Sequence, residues 1–143
     1  MNEDTTQLLK ECNSGCKMAI ESMEQVEGKI QDSRLKGIID AYKDKHEQIQ
    51  SRTAHLLWNG GEKEKEPGAM ASAMSKMSTG IKMAYSGGSH QAAKIMMDGC
   101  NMGIQSICEY ENDYGNASEE AKEIAHSLVK MEKEFMAEME QFL

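Results

Sequence analysis

Gly15-Cys16-Lys17-Met18-Ala19-Ile20-Glu21-Ser22 recurs later in the chain as Gly99-Cys100-Asn101-Met102-Gly103-Ile104-Gln105-Ser106, with Gly, Cys, Met, Ile and Ser kept at five of the eight positions. The match continues at the same offset of 84 to Lys10/Lys94 and Glu27/Glu111. Self-similarity of this kind in a short chain indicates two copies of one structural unit. Around the first copy, Leu9, Cys12, Cys16, Ala19, Met23, Val26 and Ile30 are spaced 3-4-3-4-3-4. That is a heptad seam, which marks a helix packed lengthwise against others. Glu11, Lys17, Glu21 and Glu24 occupy the remaining faces.

Each repeat has a second helix behind it. After a break at Gln31-Asp32-Ser33, the seam Ile39, Tyr42, His46, Ile49, Thr53, Leu56 begins, and it stops at Trp58-Asn59-Gly60-Gly61. Glycine there accepts the left-handed conformation that ends helices. The short connection makes these two helices antiparallel neighbours. Around the second copy, the seam is Ala93, Met96, Cys100, Gly103, Ile107, Tyr110 and Tyr114, started by Ser89 and stopped at Gly115. The fourth seam reads Ala121, Ile124, Leu128, Met131, Phe135, Glu138 or Met139, and Phe142. Asn116 is its expected cap, with Glu119 at the capping-box position. The first helix is expected to start after Asp4 or Thr5. The expected helices are thus about 4–31, 33–58, 89–114 and 117–142. Between the pairs, 59–68 reads as a solvated loop. Met70, Met74, Met77 and Ile81 then suggest a short amphipathic helix over about 69–85. A connection of that length can run the full length of a bundle, since a helix of about 25 residues is roughly 37 Å long.

The expected fold is therefore all-α: one four-helix-bundle domain of two antiparallel pairs joined by a long crossover, the ferritin-like order. Composition agrees. The chain has 143 residues, one Pro and 5% aromatics, which suits a single helical domain with a core. A net charge of −8 argues against nucleic acid or an anionic membrane as partner. No apolar run is long enough to span a membrane. Met1-Asn2-Glu3-Asp4 lacks the segments of an export signal, so a cytoplasmic location with four reduced cysteines is expected. The cysteines form no Cys-x-x-Cys, which removes zinc-ribbon and thioredoxin readings.

Helix midpoints bring Cys16, His46, Cys100 and Met131 to one central layer. Gly-Cys in the first helix, Gly-Cys in the third and His46 in the second resemble a family of uncharacterised bacterial ferritin-like four-helix bundles. The resemblance covers nearly the whole chain, the short crossover helix included. In that family a Gly-Glu pair opens the corresponding stretches and His recurs on the partner helices. The wider class uses Glu and Glu-x-x-His to hold two metal ions. The resemblance implies the fold and, in place of a working metal centre, a degenerate one. Cys16 and Cys100 stand where Glu would, and Met131 stands where the second His would. His46 alone matches, with Lys43 rather than Glu three residues before it. No carboxylate is expected in the layer, so di-iron chemistry is not expected.

Two classes of function follow. The leading expectation is non-enzymatic: a structural or interaction module, with a homo-oligomer or an unidentified protein as partner. The alternative is a soft-metal binder or sensor holding Cu or Zn on Cys16, His46, Cys100 and Met131, with Cys12 one turn away as an extra thiolate. A Cys16–Cys100 dithiol switch is a third reading. Packing explains the same residues, because free Cys is a common core residue and Met a core filler. Packing is favoured too for the Met70-Met74-Met77 stripe over copper or a partner. A haem on His46 and Met131 ranks lower, since no cluster of small residues makes room for it. His55, His90 and His126 are expected in solvent and Cys108 beside the seam. Glu109, Glu111 and Asp113 read as a solvated acidic face. No phosphate loop or nucleophile triad is present.

Overall fold

The computed structural model describes residues 1–65 and 87–143. Among these residues the chain is all-helical, an all-α four-helix bundle. Helix α1 spans Glu3–Glu27, α2 Ser33–Asn59, α3 Ser89–Asp113 and α4 Glu119–Met139, with a 3-10 turn at Glu140–Phe142. The short helix expected over about 69–85 lies outside the described residues.

The ends of the helices are set by specific caps, and several differ from expectation. Asn2, not Asp4 or Thr5, caps α1 by accepting from the Thr5 N–H at 2.8 Å, and Glu3 and Asp4 in the first turn suit the positive end of the helix dipole. Helix α1 stops at Glu27, short of 31, and Ile30 still reaches the core at 8% exposure. Asp32 caps α2 through the Arg34 and Leu35 N–H groups. Ser118, not Asn116, caps α4 by accepting from Ala121 N–H at 3.2 Å. Asn116 is used otherwise. Its N–H donates to Asp4 and its carbonyl accepts from Asn2 Nδ2, while Ser118 N–H donates to Thr5 Oγ1. These bonds tie the α3–α4 turn to the start of α1. At the opposite end of α1, Gly87 has φ +95° and lies so close to the Lys29 carbonyl that a Cβ would fall 2.7 Å from the oxygen. Only glycine fits there.

Pairing is closest for α1 with α2 and for α3 with α4, and α1 also packs against α3 and α4. The seams form the core. Leu9, Cys12, Cys16, Val26, Ile39, Ala93, Ile107, Ile124 and Phe135 are all buried. Tyr42 of α2 stacks on Phe135 of α4, ring centroids 4.6 Å apart. The seam of α2 ends on Leu57 rather than Leu56, and of the two alternatives in α4 Met139 is buried and Glu138 exposed, with Phe142 packed against the core beyond it. Of the expected 59–68 loop, 66–68 lie outside the described residues, and 62–65 are exposed or half-buried. Residues 62–65 lie along α1, with Glu62 paired to Lys10, Glu64 to Lys17 and Lys65 to Glu11. No helix among the described residues is long and apolar enough to cross a membrane.

Candidate functional site

The four residues expected in the central layer are all buried: Cys16 and His46 at 0%, Cys100 at 2% and Met131 at 6% exposure. The residue that His46 meets across the bundle is, however, Glu132. The expectation that no carboxylate enters the centre does not hold, because Glu132 is 6% exposed and its Oε1 contacts His46 Nε2. The reason lies in α4. Ala121, Ala125, Leu128, Glu132, Phe135 and Met139 are spaced 4-3-4-3-4, a second heptad line as regular as the expected one. A bundle helix buries a stripe wider than a single seam, so both lines go inside. Met131 and Glu132 are buried together.

His46 is held at both ring nitrogens. Nδ1 lies 2.6 Å from the Tyr42 carbonyl, an oxygen that can only accept, so Nδ1 carries a proton. The pair with Glu132 then shares one further proton between Nε2 and Oε1. Imidazolium with carboxylate and imidazole with carboxylic acid both satisfy the geometry, and the pair is neutral overall in either form. A buried polar pair that satisfies itself avoids the cost of an isolated charge.

Two thiols, Cys16 and Cys100, feel the charge of Glu132, and Cys12 lies one helical turn before Cys16. Burial pushes the Cys100 thiol up, and the charge of Glu132 and its hydrogen bond to that carboxylate push it the same way. Cys16 is raised well above the usual range by burial, then by Cys12 and Glu132. Cys12 is raised to about 12 by burial, with Glu111 and Glu11 adding to it. All four cysteines are free, and Cys108 is half-buried. Thiols held protonated in this way are poor nucleophiles. Among the described residues, no group of three or more His, Cys, Asp or Glu is arranged to hold a metal ion.

The layer opens on one side. Between α1 and α3 runs a groove of about 270 Å³. Its two walls are the two copies of the repeat: Gly15, Met18, Ala19 and Ser22 from one, Gly99, Met102, Gly103 and Ser106 from the other. Cys100, Glu132 and Phe135 also line it. Small residues at one-turn intervals leave the space between the walls unfilled by side chains. An ideal Cβ on Gly15 or Gly99 would meet no described atom within 4 Å, and one on Gly103 would rest 3.6 Å from Glu132 Oε2. Glu11 and Tyr110, which hydrogen-bond to each other, also border the groove, and burial with the Glu11 charge pushes Tyr110 to about 12. Sequence reasoning found the repeat but gave Gly15 and Gly99 no role of their own. The signal it passed over was that Gly15 and Ser22, each one residue off the seam at Cys16 and Met23, form with Ala19 a line of small residues along one side of the helix.

The remaining candidates stay outside this site. His55, His90 and His126 are exposed. His126 reaches Glu111 of α3 at 3.4 Å. Comparison with family profiles, with curated proteins and with solved structures finds no match to this chain.

Proposed function

We propose that this protein is a non-enzymatic binding bundle whose ligand, a small molecule with an apolar body, lies in the α1–α3 groove above the His46–Glu132 pair. One observation carries the reading: both copies of the repeat line a mainly apolar groove with a carboxylate among its lining. An apolar cavity with a few convergent polar groups is the usual form of a small-molecule site. The interior glycines support it. Glycine weakens a helix interior by about 0.5–1 kcal/mol relative to alanine, yet Gly15 and Gly99 have room for a side chain. Their effect is to keep the groove open.

The same reading takes the helix order as ferritin-like, with a degenerate metal centre. Helix α2 ends where Gly60 meets Met1, and α3 begins where Gly87 meets Lys29, at opposite ends of α1. That placement is what a full-length crossover requires. A second reading, Cu or Zn held by Cys16, His46, Cys100 and Met131, is supported by the burial of all four. It would need the His46–Glu132 contact to open, because both ring nitrogens are already engaged.

Nile red, a neutral apolar dye, tests the groove. Wild-type protein should bind it with a blue shift and raised emission. Gly15→Leu/Gly99→Leu, which fills the groove from both walls, should lose binding without a fall in melting temperature. Equal dye binding by both proteins would remove the groove from the account.

A further inference from the structure

We propose, resting on the groove reading above, that the ligand is an organic cation: an apolar chain or ring system ending in a protonated amine. The ionisable side chains lining the groove are Glu11, Asp98, Glu132, Cys100 and Tyr110, with no Lys, Arg or His among the described lining residues. Each carboxylate is an acceptor when ionised. Asp98 is exposed and lies on α3, beside the repeat glycine. Glu132 is buried, and its Oε2 is the atom nearest to where a Gly103 Cβ would stand. The counter-charges come from outside the lining: His46 from α2 holds Oε1 of Glu132, and Lys65 holds Oε1 of Glu11. Glu11 and Glu132 are thus fixed in place while the lining offers acceptors. The hydroxyls of Ser22 and Ser106 add acceptors on either wall. Apolar surface from Met18, Met23, Ile95 and Met96 takes the body of the ligand. Among the described lining residues an anionic head would meet three carboxylates and no cation, so charge complementarity disfavours it. A neutral hydroxyl head could donate one hydrogen bond. An ammonium donates up to three, each charge-assisted and about twice as strong as a neutral one.

The test compares three heads on one chain by titration calorimetry with the wild-type protein: n-octylamine, 1-octanol and octanoate. Octylamine should bind about tenfold or more tighter than octanol, which corresponds to about 1.4 kcal/mol, and octanoate should be the weakest. Glu132→Gln should erase most of the amine's advantage over octanol. If Glu132→Gln does not fold, Asp98→Asn, at an exposed position, should reduce the amine's advantage alone. Equal affinity for amine and alcohol, or tightest binding of octanoate, overturns the cation and leaves the groove reading standing. Failure of all three to bind overturns both.

Discussion

Replacing Gly15 and Gly99 by alanine should stabilise this protein, although both lie beside its buried centre. Both are in helix interiors with negative φ, so alanine adopts the same backbone. A Cβ at either position meets no described atom within 4 Å, so no clash offsets the gain. Alanine restricts the unfolded chain and favours the helix, for a gain of about 0.5–1 kcal/mol per site. The sites are on different helices and should add, giving about 1–2 kcal/mol. With an unfolding entropy of about 2.1 cal/mol/K per residue, a chain of 143 residues gains roughly 3 °C per kcal/mol. The double variant should therefore melt about 3–7 °C higher by calorimetry, with an unchanged urea m-value. Gly103→Ala serves as the internal contrast. Its methyl would rest 3.6 Å from the Glu132 carboxylate, so its gain should be smaller. A fall in stability at Gly15 or Gly99 would refute the reasoning, because it would mean that the space beside them is filled in the folded protein.

Other outcomes follow from the same contacts. Glu132→Ala removes the partner of His46 Nε2 in a fully buried setting, and urea unfolding should show a loss of about 3–5 kcal/mol. His46→Leu/Glu132→Met should lose less than the sum of the single variants, because no polar group is left unpaired. Phe135→Ala, which removes the ring stacked on Tyr42, should cost about 3–5 kcal/mol in the same assay. Alkylation of the native protein at pH 8, followed by peptide mass mapping, should modify Cys108 first and leave Cys12, Cys16 and Cys100 intact; early labelling of Cys16 or Cys100 would contradict their burial. Cys12, raised from 9.0 to about 12 in the folded state, stabilises the fold fully below pH 9 and less as pH rises towards 12. Cys12→Ala should therefore flatten the alkaline loss of stability.

Much of the fold was legible because heptad spacing states which face of a helix goes inside. The seams through Cys16, His46 and Cys100 are buried for that reason. Caps were harder to read. Several Asn, Asp, Ser and Thr residues cluster at each helix start, and the choice among Asn2, Asp4 and Thr5, or between Asn116 and Ser118, is settled by bonds between the α3–α4 turn and α1. Glu132 was the main omission. A glutamate at a heptad position is read as surface because charge is costly to bury. Its partner, His46, lies 86 residues away, and no local pattern announces the pair. The choice between the Met131 line and the Glu132 line depends on where the other three helices stand. The groove was hidden for a related reason: glycine at regular spacing describes close packing and an open cleft equally well.

The most direct test of the groove is to locate a neutral ligand by the methyl signals of the methionines. Carbon-13 methyl spectra of the protein would be recorded with and without 1-octanol, and assigned by single Met→Leu variants. The account expects shifts at Met18, Met23, Met96 and Met102, which line the groove. Met131 and Met139, on the α4 side, should be largely unmoved. Shifts at Met1, beside the second cleft at the start of α1, with none at the four groove methionines, would contradict it.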